Sequence, residues 1–211
     1  PRNVWSSSLL AAAAALPAVA APSVGIPGET MGRFCIFSRE KVIFVNRKMR
    51  TMPYDNSAVR RQDRLLDEAR ARELLAGGRF GVLSLVDGDG AYGIPVNYVW
   101  DGDDSLYVHC APDGRKLRCI DRRDRVSFCV VGATEVCPAQ FTTAYESIVL
   151  DCRARRGLPP GERMRALELL LEKYSPAHKT TGLRYAEASF ARTEIVRLDV
   201  VAWSGKTKRV H

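Results

Sequence analysis

Between residues 80 and 110 three apolar stretches, FGVLSLV (80–86), AYGIPVNYVW (91–100) and SLYVHC (105–110), are separated only by Asp87-Gly88-Asp89-Gly90 and Asp101-Gly102-Asp103-Asp104. Each stretch has strand length, and Asp/Gly pairs supply the turn conformations that bring neighbouring strands together antiparallel. This part of the chain is therefore committed to a meander, and the rest of the domain must complete its sheet.

RVSFCVV (125–131), YESIVLDCRAR (145–155) and EIVRLDVVAW (194–203) extend it, and in the last of these Val196, Leu198, Val200 and Ala202 share one face. Six strands with few helices predict a mainly β fold with peripheral α, a six-stranded antiparallel barrel small enough to close. Asp63 can cap a leading helix that runs to Ala76, with Asp67 and Glu68 in its early turns and Gly77-Gly78 as the stop. A short helix over 114–121 and a longer one over 162–174 interrupt the strands. In the longer helix Met164, Leu167, Leu171 and Tyr174 recur at helical spacing between Pro159-Pro160 and Pro176, a core-packing stripe with no cofactor implied.

The net charge of +8 suggests a polyanion partner, but residues 1–52 hold seven Lys/Arg against two Asp/Glu, so five of those charges lie there and three remain for 53–211. The folded part carries no basic stripe with interleaved aromatics, which argues against nucleic acid. The six cysteines lack the paired spacing of a zinc site and the density of a disulfide framework. They read as reduced thiols in the core. LLAAAAALPAVAAP (9–22) is similar to the apolar part of an export signal and is too short to span a membrane. The chain begins with Pro1, and Met31, Met49 and Met52 are each plausible starts, so 1–52 reads as an over-extended reading frame, with an export signal as the alternative. The expected organisation is a non-domain extension (1–52) and one cytoplasmic domain (53–211) with no membrane partner.

Chemistry concentrates where the third strand ends, at Cys110-Ala111-Pro112-Asp113-Gly114-Arg115-Lys116. Asp113 is the expected cap of the short helix, with Arg115 and Lys116 in its first turn. Cations there oppose the helix dipole, whereas an anion would be stabilised by free backbone N–H groups, so the pair makes sense if it holds a phosphate. Taken alone, the two side chains are as readily solvent-facing. Pro95 cannot donate to a ladder and belongs on an edge, where freed backbone and the Asn97 amide could meet a heteroaromatic ligand; an ordinary edge strand is the alternative. His109 shares a face with Tyr107. It is a candidate ligand contact, although a lone histidine is more often structural. No metal site is expected, since the other two histidines are His178 and His211.

Arg60-Arg61-Gln62-Asp63-Arg64, Gly93-Ile94-Pro95-Val96-Asn97-Tyr98, Leu106-Tyr107-Val108-His109 leading to Gly114-Arg115-Lys116, the stretch 130–147 and Trp203-Ser204-Gly205-Lys206 follow one another in this order. The ordered set resembles the nitroimidazole-resistance (Nim) branch of the pyridoxamine 5'-phosphate oxidase-like split barrels. That resemblance implies a homodimeric split barrel with FMN in a groove between the subunits. It also implies an FMN-dependent oxidoreductase acting on a small-molecule substrate, an electrophilic or nitroaromatic compound. Arg115 and Lys116 would hold the FMN phosphate, Pro95, Val96, Asn97 and Tyr98 would line the ring, and His109 would face the ring or donate a proton to substrate. Related barrels bind haem, which leaves a non-catalytic flavin or haem module, with His109 on the iron, as the alternative. Two departures stand out. Asp151 and Cys152 replace an apolar residue and a glycine in the barrel wall, and the substrate-phosphate set of a true pyridoxamine-phosphate oxidase is missing.

Overall fold

A computed structural model describes residues Met52–Val210. The apolar stretch 9–22 and the candidate starts Met31 and Met49 lie outside the described residues. In chain order the elements are α1 (Glu68–Gly77), β1 (Gly81–Asp87), β2 (Gly90–Val96), β3 (Val99–Trp100), β4 (Ser105–Cys110), α2 (Arg115–Arg122), β5 (Arg125–Cys137), β6 (Thr142–Arg155), α3 (Pro160–Tyr174), α4 (Lys179–Ser189) and β7 (Glu194–Lys208). No described helix is long and apolar enough to cross a membrane.

All seven strands join one antiparallel sheet in the order β2-β1-β5-β6-β7-β4-β3. Period-2 alternation points Leu83 and Leu85, Phe128 and Val130, Ile148 and Leu150, Leu106 and Val108, and Val196 and Leu198 into one core. Leu74 and Leu75 of α1 and Leu117 and Ile120 of α2 join the same core. On the other face of β4, Tyr107 packs with Ile195, Val99 and the α3 residues Ala166 and Leu170 in a second, smaller cluster. The chain enters the domain early: Met52 is buried, and the Tyr54 ring lies edge-on to Trp203 at 4.7 Å.

The sheet has seven strands where the sequence predicts six, and its ladder does not close. The stretch 91–100 divides in two. Pairing of β2 with β1 ends at Val96 opposite Gly81, and pairing of β3 with β4 begins at Val99 opposite Tyr107. Between them the Tyr98 ring turns inward against Phe128, and its hydroxyl donates to the Leu75 carbonyl at 2.6 Å. The Tyr98 N–H, lost to any ladder, donates to the Tyr174 hydroxyl at 3.0 Å. The chain thus steps from one edge of the sheet to the other through Asn97 and Tyr98, and this gap splits the barrel.

Several boundaries move for local reasons. Asp67, not Asp63, caps α1, accepting from the N–H groups of Ala69 and Arg70; Asp63 pairs with Arg61 in a short 3-10 turn. Along β7, Val196, Leu198 and Val200 are buried as expected, but a bulge at Asp151/Cys152 leaves Val201 as the extra residue. The phase then shifts, so Trp203 rather than Ala202 faces the core. At the departure over 151–152, unbroken alternation along β6 leaves Asp151 exposed and Cys152 buried. In α3 the buried positions are Ala166 and Leu170, which pack in the second cluster, whereas Leu171 meets a fourth helix that the sequence does not predict. A Cβ at Gly182 of α4 would lie 2.5 Å from Leu171, so a glycine inside that helix permits the approach.

Candidate functional site

The start of α2 brings Arg115 to the β1–β2 turn and Lys116 toward His109. α2 leaves the end of β4, at one side of the split, and its arginines reach the β1–β2 turn at the other. Arg115 Nε donates to Asp87 Oδ2 and Arg122 Nη2 to Asp87 Oδ1, both at 2.6 Å. These bonds hold the Asp87 carboxyl below the usual carboxylate range. The guanidinium of Arg115 also lies 4.1 Å from the centre of the Tyr92 ring. The β1–β2 turn can meet α2 because Gly88 takes φ +62, which lets a two-residue turn return the chain directly.

The start of α2 differs from expectation. Its N-cap is Gly114, not Asp113, and no side chain caps the first turn; Asp113 accepts instead from Arg118 Nη1 at 3.2 Å. Gly114 has φ 155 and ψ 167, a region open essentially only to glycine, and a Cβ placed there would meet nothing within 4 Å. The reason for glycine here is the backbone conformation, and the space beside the helix end is open. Free N–H groups at such an end favour an anion.

Lys116 has no ion-pair partner among the described residues, yet it is close enough to bias His109 and Cys110. Burial first, and the Lys116 ammonium second, hold the His109 imidazole below its ordinary value, so it is neutral at pH 7. Burial raises the Cys110 thiol, which Lys116 partly offsets. His109 Nδ1 is buried with no hydrogen-bond partner among the described residues. An imidazole nitrogen shielded from water and left unmatched is costly unless something else satisfies it.

Along the split, Pro95 is exposed and Val96 half-buried on the edge strand β2. The Asn97 amide nitrogen donates to the Arg79 carbonyl at 3.0 Å. Tyr98 is a core residue whose amide and carbonyl both meet the Tyr174 hydroxyl. The surface that Pro95–Tyr98 offers is therefore made chiefly by its first three residues. Beside it lies Lys173, whose buried Nζ has no hydrogen-bond acceptor among the described residues and rests 3.9 Å from the Tyr98 ring centre; burial lowers its pKa to about 8. Asp87, Tyr92, Arg122 and Lys173 were not read from the sequence as site residues. Asp87 looks like turn chemistry and Arg122-Arg123 like a solvated pair, and only the fold brings them to Arg115.

Tyr145 and Glu146 lie elsewhere, in a cleft of about 680 Å³ that is also lined by Arg70, Thr134, Glu135, Thr207 and Lys208. Glu146 is tied to Arg70 Nη2 at 2.9 Å. A second cleft, of about 320 Å³, lies over Ser84, Ser127 and Asp151. Neither shares a lining residue with the split.

A family model described as pyridoxamine 5'-phosphate oxidase matches residues 67–207, from the cap of α1 almost to the end of β7. The chain belongs to that family. No curated protein matches it. Similar solved structures include a candidate 5-nitroimidazole antibiotic resistance protein from Bacteroides thetaiotaomicron, 17% identical, covering 68% of this chain and 86% of that one with a TM-score of 0.55. The flavocytochrome Anf3 from Azotobacter vinelandii is 15% identical, with 76% and 77% covered and a TM-score of 0.60. The FAD and heme binding protein from Mycobacterium smegmatis is 17% identical, with 70% and 74% covered and a TM-score of 0.55. At these identities the likeness is one of fold. Family membership accounts for the mainly β, unclosed architecture.

Proposed function

We propose that the domain binds FMN at the split and acts as an oxidoreductase on small electrophilic or nitroaromatic compounds. The observation that carries this reading is the start of α2, an uncapped helix end with open space at Gly114 and two cations, Arg115 and Lys116, beside the orphaned Nδ1 of His109. Free N–H groups, a guanidinium and an unpaired ammonium form a donor set suited to a phosphate, and the residues present fit a phosphate-bearing flavin. In this reading Arg115 supplies planar, directional N–H donors and Lys116 a point charge. Pro95, Val96 and Asn97, with the Tyr98 backbone behind them, form the wall along the ring. A bound flavin supplies the electron transfer, while the protein contributes binding, orientation and electrostatics.

His109 is the residue assigned to the substrate side. Because it is held neutral, a hydrogen-bonding contact or a proton acceptor suits it better than a proton donor at pH 7. The split is a surface on a single chain, so this reading also has a second copy of the chain covering the flavin in a homodimer, as in the flavin-binding groove implied by the sequence resemblance. The similar nitroimidazole resistance protein and the flavin-binding relatives support the choice of cofactor and substrate class. One observation favours a second reading: a buried, neutral imidazole with a free nitrogen is also a haem ligand, and two of the similar structures are a flavocytochrome and a heme-binding protein.

The visible spectrum of the purified protein, recorded before and after anaerobic addition of NADH or NADPH, tests both. Twin flavin bands that bleach are the expected outcome. A Soret band transfers the assignment to haem, and a colourless protein that takes up no added FMN overturns the cofactor reading.

A further inference from the structure

We propose that Asp87 is a positioning residue for the phosphate site, acting through Arg115; this rests on the reading of Arg115 as a phosphate ligand. A guanidinium carries five N–H donors on three nitrogens. Asp87 takes only Nε of Arg115, at 2.6 Å, and the Tyr92 ring covers one face at 4.1 Å. The two Nη groups, with four N–H donors between them, have no hydrogen-bond partner among the described residues. They form the edge that binds phosphate bidentately.

The second oxygen of Asp87 accepts from Arg122 Nη2, seven residues along α2 and so on the same face of the helix. One carboxylate thereby fastens both ends of α2 to the β1–β2 turn and fixes the plane of the Arg115 fork. Two other roles for Asp87 make different demands. A carboxylate competing with phosphate for Arg115 would occupy the Nη edge, and here that edge is left open. A carboxylate that merely docks the helix would have no need of Nε, since Arg122 alone would serve. Arg115 sits at the exposed first turn of α2, where an unrestrained side chain would lose rotamer freedom on binding; Asp87 and Tyr92 remove that cost beforehand.

The test compares FMN with riboflavin, which lacks the phosphate, by quenching of flavin fluorescence on the deflavinated full chain. The set comprises the wild type, Asp87→Asn, Arg115→Ala and the double variant, with a urea midpoint for each. Asp87→Asn is expected to weaken FMN by on the order of tenfold, to leave riboflavin unchanged, and to add nothing in the Arg115→Ala background. Tyr92→Leu, which keeps the ion pair, is expected to give a smaller loss confined to FMN, and it carries the test if Asp87→Asn does not fold. Tighter or unchanged FMN binding by Asp87→Asn, an equal loss for riboflavin, or an undiminished effect without Arg115 would overturn the proposal. If Arg115→Ala itself leaves FMN binding unchanged, the phosphate site is wrong and this inference falls with it. A loss in Arg115→Ala with none in Asp87→Asn removes the role of Asp87 alone.

Discussion

Two helices of this domain begin in opposite ways. At α1, Asp67 turns its carboxylate back onto the N–H groups of Ala69 and Arg70, and Glu68 follows in the first turn. At α2 a glycine in an extended, positive-φ conformation leads straight into Arg115 and Lys116, and no side chain closes the end. The first arrangement is what a helix adopts when its start serves stability alone, with a carboxylate cap and a favourable dipole. The second gives up both, and the glycine that enforces it leaves room beside the free N–H groups. The contrast separates a helix end that satisfies itself from one arranged to be satisfied by something else.

The largest effect that would break this contrast is expected from replacing Arg115 and Lys116 together by Ala. Flavin retained through purification, read as the ratio of visible to ultraviolet absorbance, should fall by about a hundredfold or more, the loss expected when two charge-assisted contacts to one phosphate disappear. Unchanged flavin content would remove α2 from the site. A smaller effect is expected from Gly114→Ala. The added methyl meets nothing, so the cost comes from the dihedral angles alone, about 1–3 kcal/mol in urea unfolding. No loss at all would mean that the backbone relaxes freely there. The smallest change is expected at the other helix: Asp67→Ala should cost about 1 kcal/mol of stability and leave flavin binding untouched. A loss of flavin in that variant would erase the distinction between the two ends.

Much of the fold was legible because its signals are local. The Asp/Gly turns place β1, β2 and β4, and Pro160 at the head of α3 behaves as the sequence predicts. What was misread depends on distant partners. The break at Tyr98 is sustained by the hydroxyl of Tyr174, 76 residues away, so nothing in the stretch 91–100 announces it. The strands β5 and β6 run on to Cys137 and back from Thr142 because they satisfy one another, although GATEVC looks weak as a strand on its own. α4 hides behind Thr180, Thr181 and Gly182, poor helix formers, of which the glycine is tolerated because Leu171 of α3 packs on it. At the candidate site the motif Gly114-Arg115-Lys116 was visible, but its cap was misassigned. Asp113 is the better capping residue by type, and the adjacent glycine prevails through its conformation. Asp87, the carboxylate that organises the cluster, stands 28 residues from Arg115 and is indistinguishable in sequence from the aspartates of any tight turn.

An unclosed sheet also leaves two strands with one side unpaired, and unpaired strand edges are where chains stack into insoluble fibrils. Here one edge is β2, which carries Pro95 and two glycines, and the other is β3, only two residues long. A proline offers no donor to an incoming strand, and a two-residue edge offers too few groups to template one. The opening that exposes a binding surface is thus flanked by backbone poorly suited to recruiting another chain by strand addition, which lets the barrel remain split without becoming a seed for aggregation.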